Sequence, residues 1–179
     1  MSHRAVATID RKALAHNLAV ARRHAPESKL AAIIKADAYG HGLVPCAEAL
    51  NDADLFGVTT VDEAEQLRRA GTSKNILVMQ GFIDKADLRR IAHHNLQLVV
   101  HRAEDLAMLE NEFCKIAPTK PLTFWLKVDT GMGRLGIKPT EVERVHLALR
   151  RQPWCHDVVV MTHLANAATP DSPLNSQQL

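Results

Sequence analysis

Short apolar runs alternate with amphipathic stretches along the chain, and the runs predict strands. From residue 30 onward these strands alternate with helices, an order typical of a parallel α/β sheet, either doubly wound or a (β/α)8 barrel. Most of the runs are near-continuous, as expected of parallel strands covered on both faces. The predicted strands span 4–9, 30–35, 55–60, 75–80, 96–101, 121–128 and 157–162.

Polar residues and one glycine predict where several helices begin and end. Asp10 and Asp84 stand where a side-chain oxygen would cap the first turn of a helix. Thr140, with Glu143 three residues later, predicts a capping box at the start of another helix. Gly71 is expected to end the helix that precedes it.

The number of strands indicates part of a (β/α)8 barrel. Such a barrel needs eight βα units and about 250 residues, and about six units fit into these 179 residues. The segment 165–179 contains Pro170 and Pro173 and is predicted to be a loop. We therefore expect residues 1–179 to be the N-terminal portion of a truncated barrel domain, with the last barrel strands absent.

Composition and charge exclude several classes of protein. The net charge is +2, too close to neutral to favour a nucleic-acid partner, and 46% of the residues are apolar, which argues against disorder. No apolar run approaches the ~20 residues of a membrane span, and the N-terminus lacks an apolar signal segment. The three cysteines form no paired motif. Reduced thiols and a cytoplasmic location are therefore expected.

Lys35, at the end of the predicted strand 30–35, is the first candidate catalytic residue. Desolvating an ammonium is costly, and desolvation therefore favours the neutral amine that a Schiff-base lysine needs. In an α/β barrel the carboxyl ends of the strands form the active face. Tyr39 follows by four residues, so one helical turn would bring its hydroxyl to the same side. The alternative is a lysine that merely extends into solvent.

Two later motifs also place polar side chains after strands. In LKVDTGMGRLG (126–136) three glycines predict a flexible loop that presents the guanidinium of Arg134 inward, and this planar group suits a carboxylate or a phenolate. In MTHLANA (161–167) His163 ends a strand, where a structural donor is the alternative to a catalytic group. No metal site is expected from the remaining histidines, since their predicted helix and strand positions diverge: His93, His94 and His101.

The stretches AAIIKADAYGHG, LKVDTGMGRLG and MTHLANA closely resemble three motifs of the alanine racemase family, in the same order. VDEAEQLRRAG also has the look of this family, so the resemblance extends from about residue 4 to residue 179. It implies an isomerase that interconverts L-alanine and D-alanine with pyridoxal 5'-phosphate and supplies D-alanine for the cell wall. It also implies a (β/α)8 barrel followed by a C-terminal β domain, which would lie outside this sequence.

The resemblance further implies a role for each candidate residue. Lys35 would hold pyridoxal phosphate as an internal aldimine and act as the base for D-alanine. Tyr39 would donate a hydrogen bond to the cofactor phosphate, and His163 would stack on the pyridine ring. Arg134 would contact the phenolic oxygen of the cofactor and help bind the substrate. Lys127 matches a position that is often carbamylated in the family, where it orients Arg134.

Racemisation requires two bases, one on each face of the substrate carbanion. In the family that the chain resembles, the second base is a tyrosine from the partner subunit of a homodimer. Tyr39 is the only tyrosine here, so the second base is expected beyond residue 179 and the chain alone is expected to be inactive. Three alternatives stay open: a broad-specificity amino-acid racemase or related decarboxylase, a non-catalytic pyridoxal-phosphate carrier barrel, and an incomplete barrel that binds nothing stably.

Overall fold

The computed structural model describes residues 6–179. The strands in this range are β1 (Ala31–Ile33), β2 (Leu55–Val58), β3 (Asn75–Val78), β4 (Gln97–Val100), β5 (Leu122–Lys127) and β6 (Cys155–Met161). The helices are α1 (Arg11–His24), α2 (Lys35–Gly40), α3 (Leu43–Ala49), α4 (Val61–Arg69), α5 (Lys85–His93), α6 (Asp105–Ile116), α7 (Val142–Arg150) and α8 (Pro173–Gln178). A 3₁₀ turn, Pro139–Glu141, precedes α7.

Parallel pairing of consecutive strands confirms the predicted α/β class. The strands follow one another in the sheet in chain order, from β1 to β6. The pairs β1–β2, β4–β5 and β5–β6 are parallel, with Ala31 opposite Leu55 and Val100 opposite Leu126. Each connection contains at least one helix, as parallel strands require. This is the strand order predicted for six units of a (β/α)8 barrel.

Backbone packing divides the chain into two compact units, with the division between Leu77 and Val78, inside β3. In the first unit β2 is buried along its whole length. Helix α4 packs against β2, and Leu67 of this helix is completely removed from solvent. Burying a leucine contributes about 1.5–3 kcal/mol, so this packing stabilises the unit in which β1, the neighbour of β2, leads into Lys35.

The second unit has an aromatic cluster at its centre. The rings of Phe113, Phe124 and Trp154 are in mutual contact, with centroids 5.2 to 6.1 Å apart. The ring planes are tilted or perpendicular to one another, which is the arrangement that aromatic quadrupoles prefer. Phe124 belongs to β5, so the cluster fixes the strand that ends at Lys127.

Three of the predicted helix ends are confirmed. The carboxylate of Asp10 accepts hydrogen bonds from the backbone amides of Lys12 and Ala13 at the start of α1. The carboxylate of Asp84 accepts one from the third residue of α5 at 3.0 Å. Gly71 follows α4 with a φ of +89°, the left-handed conformation that ends helices.

Two predictions about the ends of the chain are wrong. Of the predicted strand 4–9, residues 4 and 5 lie outside the described residues, and the rest forms no strand. Val6 is 81% exposed, so this apolar run lacks the neighbouring strand that a ladder needs. The predicted loop 165–179 contains α8, because Pro173 occupies the first turn of the helix, where its missing N–H costs nothing.

The predicted capping box at Thr140 is also absent. The chain enters α7 through the 3₁₀ turn that begins at Pro139, and no side chain caps α7. A reciprocal capping box does occur at Thr60 and Glu63, where α4 begins. It positions Glu63, whose carboxylate also accepts a hydrogen bond from the Thr59 amide at 2.8 Å.

Candidate active site

Lys35 lies immediately after the first strand of the sheet. The predicted strand 30–35 is shorter than expected, since β1 ends at Ile33 and Lys35 begins α2. Ile34 between them is buried, and its amide donates to the carbonyl of Gly57 at 2.9 Å, which continues the pairing with β2. Lys35 itself is half-buried. The side chain therefore leaves the carboxyl end of β1, as predicted, but from a turn rather than from the strand.

The turn that carries Lys35 is left-handed. Four consecutive residues, Ala36 to Tyr39, have φ between 52° and 55° and ψ between 37° and 54°. For residues with a Cβ this conformation costs roughly 1–2 kcal/mol each, so the surrounding structure must hold it. Asp37 is one such anchor, because its carboxylate accepts from the Leu43 amide at 2.7 Å and its carbonyl accepts from Gly42 at 2.9 Å.

The left-handed turn folds Tyr39 back toward Lys35. The Nζ atom of Lys35 lies 6.0 Å from the centroid of the Tyr39 ring. The expectation that these two side chains share one side is therefore confirmed, although a right-handed helical turn was the predicted route. Tyr39 is 60% exposed, so its hydroxyl is free of the core of the first unit.

Lys127 is the last residue of β5 and lies in the second unit. Its side chain is 92% removed from solvent at the strand's carboxyl end, where the sequence predicted it. Its carbonyl accepts from the Ile137 amide at 2.9 Å, and the carbonyl of Ile137 in turn accepts from Asp129 at 2.9 Å. These two bonds close the chain between β5 and Ile137 into a loop.

The loop 129–136 is organised by a carboxylate that sequence reasoning did not single out. The Oδ1 atom of Asp129 accepts hydrogen bonds from the amides of Gly133 at 2.9 Å and Gly131 at 3.0 Å. These amides, Gly133 foremost, hold the pKa of Asp129 below its usual value. The loop predicted to be flexible is thus tied internally around an ionised carboxylate.

Gly136 is required where this loop returns to the strand. Its φ is +138°, and an added Cβ would lie 2.7 Å from the carbonyl carbon of Val128 and even closer to the amide nitrogen of Asp129. Real Cβ atoms do not approach backbone so closely, so only glycine fits without moving the loop. Arg134, two residues earlier, is exposed. The side chain of Arg134 therefore lies outside the core of the second unit, and its direction toward a ligand stays a prediction.

His163 lies two residues beyond the end of β6. The strand stops at Met161 rather than at 162, and the side chain of His163 is exposed. Its carbonyl accepts a hydrogen bond from the side chain of Gln178 at 2.9 Å. The hydroxyl of Thr162 donates to the carbonyl of Val128 at 3.0 Å, so the ends of β5 and β6 are tied together beside His163.

His101 is a second residue to which the sequence assigned no role. Val100 pairs with Leu126, so the next residues, His101 and Lys127, are neighbours across β4 and β5. Burial is the main reason that the pKa of His101 is lowered; the Asp105 charge opposes the shift, and the charges of Arg102 and Lys127 add to it. The Nδ1 atom is buried and has no hydrogen-bond partner among the described residues. At neutral pH this imidazole is uncharged.

Two other properties of the described residues bear on the candidate chemistry. Within 6–179 no helix has the length and apolar character needed to cross a membrane. Across the same range, no group of three or more His, Cys, Asp or Glu side chains is placed to hold a metal ion.

Comparison with known proteins identifies the family. A family profile described as "Alanine racemase, N-terminal domain" matches residues 9–179. The biosynthetic alanine racemase of Salmonella typhimurium is 43% identical over 180 residues, covering 98% of this chain and 48% of the relative. An alanine racemase of Yersinia pestis is 41% identical over 179 residues, with the same coverage of both chains. The chain thus spans about half the length of the curated relatives it matches.

Solved structures agree with this assignment. The biosynthetic alanine racemase from Pseudomonas aeruginosa superposes with a TM-score of 0.88 at 36% identity, covering 97% of this chain and 48% of that one. Alanine racemase from Acinetobacter baumannii gives a TM-score of 0.82 at 32% identity, covering 95% of this chain and 49% of that one. Sequence and fold together show that the chain belongs to the alanine racemase N-terminal domain family.

Proposed function

We propose that residues 1–179 form the N-terminal portion of the barrel domain of an alanine racemase, a pyridoxal-phosphate-dependent isomerase that interconverts L-alanine and D-alanine. The observation that carries the proposal is the position of Lys35, directly after β1 of a parallel sheet. The barrel would be completed, and followed by a β domain, in the whole racemase. We place the working enzyme in the cytoplasm as a homodimer that supplies D-alanine for cell-wall synthesis.

The chemistry of the available donors fits pyridoxal phosphate. An aldehyde reacts with the amine of a lysine, and Lys35 is half-buried beside Tyr39. A phosphate accepts hydrogen bonds from a hydroxyl, which Tyr39 offers. A phenolic oxygen accepts from a guanidinium, which Arg134 offers in the second unit. When bound, the cofactor supplies an electron sink that acidifies the Cα–H of the amino acid.

Lys35 has two tasks in this proposal. Its amine would hold the cofactor covalently, and as a free amine it would move a proton at the substrate Cα, as the base for D-alanine. The left-handed turn serves both tasks because it keeps Tyr39 within 6.0 Å of the amine while Lys35 changes its bonding. Tyr39 anchors the phosphate and so keeps the reacting atoms in place.

Arg134 and Lys127 bind and orient within the second unit. The loop 129–136 is closed around Asp129. In the proposed enzyme, Arg134 of this loop would contact the phenolic oxygen of the cofactor and the substrate carboxylate. Lys127 is buried at the end of β5. Addition of CO2 to its neutral amine, with release of a proton, would convert a donor into an acceptor that orients Arg134. His163 would stack on the pyridine ring.

A second proton-transferring group is needed on the opposite face of the substrate. Tyr39 is the only tyrosine of this chain and is assigned to the phosphate. We therefore infer that the second base is a tyrosine from the partner subunit of the homodimer, and that the 179-residue chain alone does not racemise alanine.

The direct test is racemisation by a chimera. Residues 1–179 are continued by the part of the Salmonella typhimurium relative that lies beyond the matched region, and conversion of L-alanine to D-alanine is followed. We expect turnover that is lost in Lys35→Ala and kept in Lys29→Ala, since Lys29 is exposed and lies outside the turn. Cofactor binding without turnover would indicate a carrier barrel, and CO2 release would indicate a decarboxylase. Equal rates with larger amino acids would indicate broad specificity.

A further inference from the structure

The side chain of Gln178 is an unusually buried polar group in the second unit. It ends α8 and is 3% exposed. Its neighbour in the same helix, Gln177, is exposed. Glutamine is rarely buried unless its carboxamide is hydrogen-bonded, so the surroundings of Gln178 explain its position.

The carboxamide of Gln178 makes three hydrogen bonds outside its own helix. Its Nε2 donates to the carbonyl of His163 at 2.9 Å and to the hydroxyl of Thr130 at 3.4 Å. Its Oε1 accepts from the amide of Ala165 at 2.9 Å. If the carboxamide were rotated by 180°, Nε2 would face the N–H of Ala165 and Oε1 would face the carbonyl of His163. Neither pair could form a hydrogen bond, so the network fits only one orientation of the carboxamide.

These partners belong to the two segments that carry candidate active-site residues. Thr130 lies in the loop 129–136, and its hydroxyl also shares a hydrogen bond with that of Thr162 at 2.8 Å. A Cβ on Gly131 would lie 3.4 Å from the Cγ of Gln178, so the side chain packs directly on the loop. Gln178 thus holds the loop of Arg134 on one side and the backbone of His163 on the other.

We propose that Gln178 is a positioning residue for the Arg134 loop and for His163. Its carboxamide binds Thr130 at the start of the loop. The same carboxamide binds the backbone of His163 and of Ala165, on the two sides of residue 164. The functional part of this inference rests on the proposed function, in which Arg134 and His163 contact the cofactor. None of the three hydrogen bonds stabilises α8 internally, so the role is to join α8 to the ends of β5 and β6.

The test compares Gln178→Met and Gln178→Glu with the matched controls Gln177→Met and Gln177→Glu in the 179-residue chain. Methionine keeps the length of the side chain and removes every hydrogen bond. Glutamate keeps the acceptor for Ala165 and removes the donors to His163 and Thr130. Amide hydrogen exchange should therefore rise about tenfold at Ala165 in Gln178→Met only, by the usual net strength of one hydrogen bond. It should rise at Gly131 in both Gln178 variants and in neither control.

Cofactor binding provides the second readout. Gln178→Met loses three positioning hydrogen bonds and Gln178→Glu loses two, so both variants should bind pyridoxal phosphate at least about tenfold more weakly. The absorption band of the bound cofactor should shift as well, because Arg134 and His163 would be displaced, and a general loss of stability would not produce that shift. The controls should match the unaltered chain.

Two results would overturn the inference. One is unchanged exchange at Ala165 and Gly131 in Gln178→Met. The other is faster exchange spread evenly over β4 to β6, which would show that Gln178 supports the fold as a whole. Failure of the unaltered chain to bind pyridoxal phosphate would count against the proposed function, and the exchange measurements would then decide alone whether Gln178 positions the loop.

Discussion

Replacing Ala36 by glycine should stabilise the protein, although the same change in an ordinary helix destabilises it. Ala36 has a φ of 52° and is exposed, so removing its methyl group relieves the left-handed turn without loss of packing. Relief of the steric strain should stabilise the folded chain by roughly 1–2 kcal/mol. The greater conformational freedom of glycine stabilises the unfolded chain by about 0.5–1 kcal/mol and so offsets part of this gain. The expected net change in the free energy of unfolding is therefore a gain of about 0–1.5 kcal/mol, centred on about 0.7 kcal/mol.

The matched control is Ala19→Gly. Ala19 is also exposed but lies in the interior of the right-handed helix α1. There the substitution should lower the free energy of unfolding by about 1 kcal/mol. Urea denaturation followed by circular dichroism measures both variants against the unaltered chain. The reasoning is refuted if Ala36→Gly destabilises the chain as much as Ala19→Gly does, because the turn would then not be left-handed in solution.

Three further predictions concern the second unit. Gly136→Ala should lower the free energy of unfolding by at least about 2 kcal/mol because its methyl group would overlap the backbone at Val128. The control is Gly133→Ala, whose methyl group would meet nothing within 4 Å and which should lower the free energy of unfolding clearly less in the same urea titration. Arg134→Ala should leave the melting temperature nearly unchanged and reduce the turnover of the chimera several-fold or more. Arg134→Lys should not restore turnover, because lysine lacks the planar guanidinium. A loss of about 3 kcal/mol in the free energy of unfolding, the size expected for a core residue, would contradict this prediction. Because the pKa of His101 is lowered in the folded chain, its contribution to stability is complete above the pKa of the unfolded chain, near 6.5, and is lost as the pH falls toward the pKa of the folded chain. His101→Gln should flatten this part of the curve of unfolding free energy against pH. An unchanged curve would show that the imidazole is not buried.

The apolar pattern was sufficient to place Lys35 but not to describe its turn. A run that ends in lysine locates the carboxyl end of a buried strand, and the structure agrees within two residues. Left-handed alanines carry no local signal, because their own propensity opposes the conformation. The turn is held by hydrogen bonds from Leu43 and Gly42 to Asp37 and by one contact distant in sequence, from the Asp37 amide to Glu63 at 3.4 Å. The apolar pattern contains none of these polar contacts and so could not predict the turn.

For the loop after β5, too, the sequence predicted the position of the loop but not the contacts that organise it. Its three glycines predicted a tight turn around Arg134, and the structure has a loop there in which Arg134 is exposed. They did not reveal that Asp129 organises the loop or that Gly136 is the position without room for a side chain. Gln178 was missed because prolines nearby favoured a loop, and a glutamine acquires its importance only from burial in the fold.

Covalent trapping of the cofactor tests the central claim most directly. The chain is incubated with pyridoxal phosphate, reduced with borohydride, digested and mapped by mass spectrometry. The account predicts one pyridoxyl group on the peptide that contains Lys35 and no specific labelling of Lys35→Ala. Labelling of Lys127, or labelling scattered over exposed lysines such as Lys29, would contradict it.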